Sequence, residues 1–146
     1  MIKKKVDYLL ISDSTIPACG KGLFTLKRIK KGEKICQFGG RLIGNKEFSK
    51  ILKAIEKGNY NLESANYYIS LSSGLILDSY ESDCYARYAN DAEGFTKIDG
   101  FKNNAIIIEG EDQVSAYLQA KNDIPKGSEI FTAYGKSYWV SFKKNR

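Results

Sequence analysis

Three short runs of this 146-residue chain carry groups suited to holding and orienting a ligand rather than attacking one. Gly20-Lys21-Gly22 sets two residues without Cβ atoms around one side chain, so a ligand or another backbone can approach closely. Asn90 offers two amide donors and a carbonyl acceptor. Residues 127–139 end a short strand by placing the Tyr134 hydroxyl, the flexible Gly135 and an aromatic wall, Tyr138 and Trp139, within a few positions. An unperturbed phenol, with a pKa of about 10, stays protonated at neutral pH, which suits Tyr134 to orienting work rather than to general-base work.

The residues that are missing narrow the chemistry further. The chain has no histidine, which excludes Ser-His-Asp and Cys-His nucleophiles, a histidine base and a histidine metal site. Cys19, Cys36 and Cys84 are odd in number and far apart, so they supply neither a disulfide framework nor a CxxC metal clip, and they read as small buried thiols. A dinucleotide fingerprint also fails: its third glycine would fall at Thr25, and Leu23-Phe24-Thr25-Leu26 reads as strand, not helix. On its own, Gly20-Lys21-Gly22 also fits a tight turn before a strand.

The elements that must position these groups are mostly strands. Runs 6–11, 22–26 and 33–43 are β-rich, with Lys31-Gly32 and Gly39-Gly40 as turns or bulges. A helix is predicted over 45–57, because Phe48, Ile51, Leu52 and Ile55 share one face, with Asn45 as N-cap and Gly58 as the stop. Its other face carries Lys46, Lys50, Lys53 and Lys57. Runs 67–71 and 75–78 make a hairpin around Gly74, and 104–109 with 114–120 make another around Gly110. Many short strands and one helix predict a strand-dominated α+β fold of one domain, residues 1–146.

The formal charge is +6 and unevenly spread. Residues 78–112 hold nine acids against Arg87, Lys97 and Lys102, while the flanks are basic. An acidic middle could attract a lysine-rich peptide and basic flanks a nucleic acid, although such clusters can also be ordinary solvated surface. Asp7 and Asp13 interrupt the apolar segment that an export signal needs, and no run of roughly 18 apolar residues offers a membrane span. An intracellular protein, in nucleus or cytoplasm and without membrane contact, is therefore expected.

Residues 14–43 resemble the N-terminal half of a SET domain, the family that transfers methyl groups from S-adenosyl-L-methionine to protein lysines. The matching residues are Gly20-x-Gly22-Leu23-Phe24, Ile29-Lys30-Lys31-Gly32-Glu33 and Gly40-Arg41-Leu42-Ile43. Residues 78–91 are similar to the family segment ending Arg-Phe-x-Asn-His, with Tyr88 in place of Phe and Asp91 in place of His, and the 127–139 tail resembles the closing motif. The likeness runs over about residues 6–139 and is to a minimal, free-standing SET domain without cysteine-rich flanks.

That resemblance implies a SET-type fold of several small β-sheets, a knot-like C-terminal crossing of the Asn90 and Tyr134 segments, and one helix in an insert at about 44–66. It implies S-adenosyl-L-methionine as cofactor, held by Gly20, Lys21, Gly22, Leu23, Phe24, Arg87, Tyr88, Asn90 and Asp91, with no metal. Asp91 is the departure that bears on the adenine edge, where family contacts run largely through backbone. Tyr134 would be the catalytic residue, aligning amine and methyl. Tyr67, Tyr68, Thr132, Tyr138 and Trp139 would line the lysine channel, where aromatic faces accommodate an alkyl stem and a cationic head; core or rim packing is the competing role for the aromatic ones. The implied substrate is a histone tail or another basic protein. The alternative from a different class is a non-catalytic SET-like module that binds basic peptides or nucleic acid.

Overall fold

Glycine-punctuated β-rich runs become nine strands and one α-helix among the residues that the structure, a computed structural model, describes: 7–17, 20–58, 68–79, 82, 84–93 and 99–133. The strands form three three-stranded antiparallel sheets. The first has β2 (Lys21–Thr25) between β1 (Leu9–Asp13) and β9 (Glu129–Ile130). The second has β8 (Ala116–Ala120) between β3 (Lys34–Gln37) and β7 (Ala105–Glu109). The third has β6 (Ile76–Asp78) between β4 (Arg41–Ile43) and β5 (Tyr68–Ser70). This is the strand-dominated α+β architecture that the sequence predicts.

Both predicted hairpins form, β5 with β6 and β7 with β8. Two boundaries differ. The first strand lies at Leu9–Asp13 rather than 6–11, because its ends follow its partner: Leu9 faces Thr25 and Asp13 faces Lys21, whose ammonium meets the Asp13 carboxylate at 2.8 Å. The predicted 33–43 strand is split between two sheets. Gly40, at φ +144°, passes so close to the neighbouring chain that a Cβ would lie 2.8 Å from the Asp78 carbonyl carbon, so this crossing requires glycine.

Helix α1 (Asn45–Glu56) matches the predicted helix to within a residue at its end, with Gly58 at φ +74° just beyond it. Its first carbonyl acceptor is Gly44, which takes the Phe48 amide at 3.0 Å, so Asn45 is the first helical residue and not the N-cap. Phe48 and Ile51 pack against buried Ile43, Tyr68 and Ile76, seating the helix on the third sheet. The main core joins the other two sheets through the fully buried Leu23, Ile29, Leu118, Ile124 and Ile130. Each contributes about 1.5–3 kcal/mol of apolar burial.

Residues 129–132 are paired on both sides. Glu129 and Ile130 face Phe24 and Leu23 of β2, while Phe131 bridges Asn90 and Thr132 bridges Ala105, both in parallel. One terminal segment thus runs between three stretches distant in sequence, which is the described part of the expected crossing.

Candidate functional site

The site assembles around a buried carboxylate. Glu129 is 5% exposed. It accepts hydrogen bonds from Ser14 Oγ at 2.7 Å, from the Thr15 amide at 2.7 Å and from Thr15 Oγ1 at 2.6 Å, with a longer one from Asn90 Nδ2 at 3.4 Å. A carboxylate surrounded by donors is well satisfied without a cation. It fills the space above Gly22, where a Cβ would collide with Glu129 Oε2, lie 2.9 Å from its Cδ and come within 3.3 Å of Ser14 Cα. The second glycine of Gly20-Lys21-Gly22 is therefore required by the Glu129 side chain.

Asn90 ties this group together. Its Nδ2 donates to the Lys21 carbonyl at 3.0 Å, across 69 positions of sequence, and to Glu129. Both partners are acceptors, so the amide nitrogen is turned toward them and Oδ1 away. Oδ1 takes no hydrogen bond among the described residues. The Asn90 carbonyl accepts the Thr132 amide at 2.9 Å. The 3₁₀ turn Ala86–Tyr88, against β2, brings Arg87 and Tyr88 alongside, with the Arg87 guanidinium carbon 5.3 Å from the Tyr88 ring centre.

Asp91 stabilises the local turn. Its Oδ1 accepts the Glu93 amide at 2.9 Å and Asn103 Nδ2 at 3.0 Å, while Asn103 Oδ1 accepts the Ala92 amide and the Glu93 carboxylate accepts the Asn103 amide. Asn104 braces the terminal segment in the same way, donating to the Glu129 carbonyl and accepting the Phe131 amide.

Of the predicted residues, Gly20, Lys21, Gly22, Asn90 and Asp91 come together around this junction, with Arg87 and Tyr88 beside it. The Lys21 ammonium points away to Asp13, and its hydrogen bond holds the Asp13 carboxyl below its usual pKa. Leu23 is fully buried in the main core, and Phe24 is half-buried on the opposite face of β2. Thr132 is fully buried, and its Oγ1 has no hydrogen-bond partner among the described residues. Tyr68 lies elsewhere, 6% exposed in the α1 cluster, with its ring edge-on to Phe48 at 5.3 Å. Tyr67, Tyr134, Tyr138 and Trp139 lie outside the described residues, as does Cys19. Burial, with a smaller contribution from neighbouring Cys84, pushes the Cys36 thiol up to about 12, in keeping with a thiol that serves as core.

Sequence reasoning missed Glu129, Ser14, Thr15, Asn103 and Asn104. One weak signal was present: Glu129 opens the strand run directly before Ile130 and Phe131, where a buried, unpaired carboxylate would be costly.

The junction offers an acceptor suited to an ammonium, the Asn90 amide oxygen, and near it the exposed Gly20, where a Cβ would meet nothing within 4 Å, whereas the space over Gly22 is taken by Glu129. These features are compatible with the amino-acid end of S-adenosyl-L-methionine.

The chain is similar to known proteins in sequence and fold. The SET domain sequence profile matches residues 20–135. The chain is 28% identical over 120 residues to the Variant-silencing SET domain-containing protein of Plasmodium falciparum (isolate 3D7), covering 82% of this chain and 4% of that protein. It is 26% identical over 137 residues to Histone-lysine N-methyltransferase CLF of Oryza sativa subsp. japonica, covering 92% and 14%. The chain thus spans only a small part of the curated relatives it matches. Among solved structures, ctPRC2 in an autoinhibited conformation bound to S-adenosylmethionine has the same fold, with a TM-score of 0.65 and 24% identity over 93% of this chain and 16% of that one. With the profile spanning both glycines, Asn90 and Glu129, the chain belongs to the SET domain family.

Proposed function

We propose that this chain is an S-adenosyl-L-methionine-dependent protein-lysine N-methyltransferase acting in nucleus or cytoplasm on a histone tail or another basic protein. The observation that carries the reading is the Asn90 bond to the Lys21 carbonyl, 3.0 Å long, which joins two motif segments and leaves the Asn90 amide oxygen facing away. The names of relatives add support, since one is a histone-lysine N-methyltransferase and a structural neighbour is bound to S-adenosylmethionine.

In this reading Asn90 Oδ1 accepts from the ammonium of the cofactor's amino-acid end. The backbone of Gly20, Lys21, Gly22, Leu23 and Phe24 borders that end, and Arg87, Tyr88 and the Asp91 backbone border the adenine. The cofactor supplies a methyl group on a sulfonium sulfur. Transfer to an amine is an in-line displacement, so the chain must align the lysine nitrogen, exclude water and receive a lysine that has lost its proton. Tyr134 orients that amine through its hydroxyl, while Tyr67, Thr132, Tyr138 and Trp139 are the proposed surroundings of the lysine stem; Tyr68, packed in the α1 cluster, is not among them.

Calorimetric titration with S-adenosylmethionine and with its demethylated product should show saturable binding. Tyr134→Phe should slow methylation of a histone-tail peptide about 100-fold or more, with cofactor affinity nearly unchanged. An unaffected rate removes Tyr134 from the mechanism. No binding of either compound to folded protein, with basic peptide present, assigns the chain to the non-catalytic binders.

A further inference from the structure

We propose that the solvent face of α1 is a docking surface for the phosphate backbone of duplex nucleic acid. Lys46, Lys50, Lys53 and Lys57 are all exposed. At 100° per residue they fall within about 60° of arc and extend over about 16 Å of helix axis. Phe48 and Ile51, on the far side of the helix, are packed against Ile43, Tyr68 and Ile76, so the fold fixes the row toward solvent.

Two acids lie on the same helix, Glu47 and the exposed Glu56 three residues after Lys53, and neither forms an ion pair with the row among the described residues. Glu47, the acid of the first turn, is drawn to Arg41, Oε2 to Nη1 at 2.7 Å, and none of the four lysines has an ion-pair partner among the described residues. Like charges sit at successive i, i+3 and i+4 positions and Lys46 lies at the positive end of the macrodipole, both unfavourable to the helix, whereas Lys53 and Lys57 at the other end suit the dipole.

The chemistry of the face selects among polyanions. Its helix has already spent its apolar side on the fold, so it cannot lie in a bilayer as an amphipathic helix does. Ser49 and Asn45 beside the row are exposed and polar, and the face offers none of the aromatic or apolar anchors that dominate protein interfaces. Ammonium point charges at one- and two-turn intervals suit phosphates, which contribute affinity and orientation without reading sequence. This face would bring a nucleic-acid-associated protein substrate to the chain.

The test is fluorescence anisotropy with a labelled 30-base-pair duplex across a salt series. It compares wild type, the α1 variant with Lys46, Lys50, Lys53 and Lys57 all changed to Gln, and a charge-matched control with Lys30, Lys102, Lys121 and Lys126 changed to Gln. The α1 variant should lose at least about 10-fold in affinity, and its slope of log affinity against log salt should fall by about 3–4, while the control changes less than about 3-fold. Both variants are checked by thermal melting. If the α1 variant melts early, Lys50→Gln with Lys53→Gln replaces it, and the slope should fall by about 2. Equal weakening of both variants would overturn the proposal in favour of net charge alone. So would wild-type binding to polyglutamate or to phosphatidylserine vesicles as tight as to the duplex, or no duplex binding at low salt.

Discussion

Glu129 shows how one side chain links three motifs. Its oxygens receive Ser14, Thr15 and Asn90 donors, and its bulk dictates glycine at position 22. Glu129→Gln keeps the shape but turns an amide NH₂ toward existing donors, leaving a buried donor unpaired. Urea unfolding should show a loss of about 1–3 kcal/mol, and titration calorimetry a weaker affinity for S-adenosylmethionine, because Asn90 loses one of its anchors. A variant with wild-type stability and affinity would show that the carboxylate does not hold the site together. At this scale the sequence disclosed Gly20, Gly22 and Asn90 as chemistry-bearing residues. Glu129 was harder to read because its partners lie up to 115 positions away.

Among the elements, the turns rest on carboxylates whose acidity is shifted. Asp112 is held below the usual 3.8, chiefly by the Ser115 hydroxyl and then by the Val114 amide, within the β7–β8 turn. Asp123 is lowered by the Lys31 amide and then by Arg28, which secures the Ile29–Ile124 bridge. A depressed folded-state pKa means that the unfolded chain binds more protons between the two values. The stabilisation is complete above the ordinary Asp range, near 4, and is lost as pH falls through the lower folded value. Melting temperature should therefore be level above about pH 5 and drop below pH 4. In Asp112→Ala it should start lower and drop less steeply, and an unchanged acid slope would remove this turn from the pH response. Helix α1 and both hairpins were legible from apolar periodicity and turn glycines. Gly39-Gly40 marked an interruption of the predicted 33–43 strand, but that its two halves join different sheets was not legible, because it depends on how closely Gly40 passes Asp78.

Across the whole molecule, the acidic middle is partly structural. Asp91, Glu93, Glu109 and Asp112 all accept hydrogen bonds within the fold, whereas the exposed Asp99 and Glu111 accept none among the described residues. Reversing Asp99 and Glu111 to lysine should weaken a basic histone-tail peptide several-fold, more at low salt, without lowering melting temperature. Unchanged affinity in an anisotropy titration would class them as ordinary surface. The sequence by itself determined the α+β class, the helix and hairpins, the exclusion of histidine chemistry and the three ordered motifs that mark a SET domain, because periodicity, turn residues and motif spacing are local properties. Only the tertiary structure decided that Asn90 meets Lys21 and Glu129, that Tyr68 packs under α1 and which carboxylates are tied into the fold by hydrogen bonds. Alternation along a strand records which face is buried, but not which distant segment covers it, and hydrogen-bond partners 39 to 115 positions apart are brought together only by the packed fold.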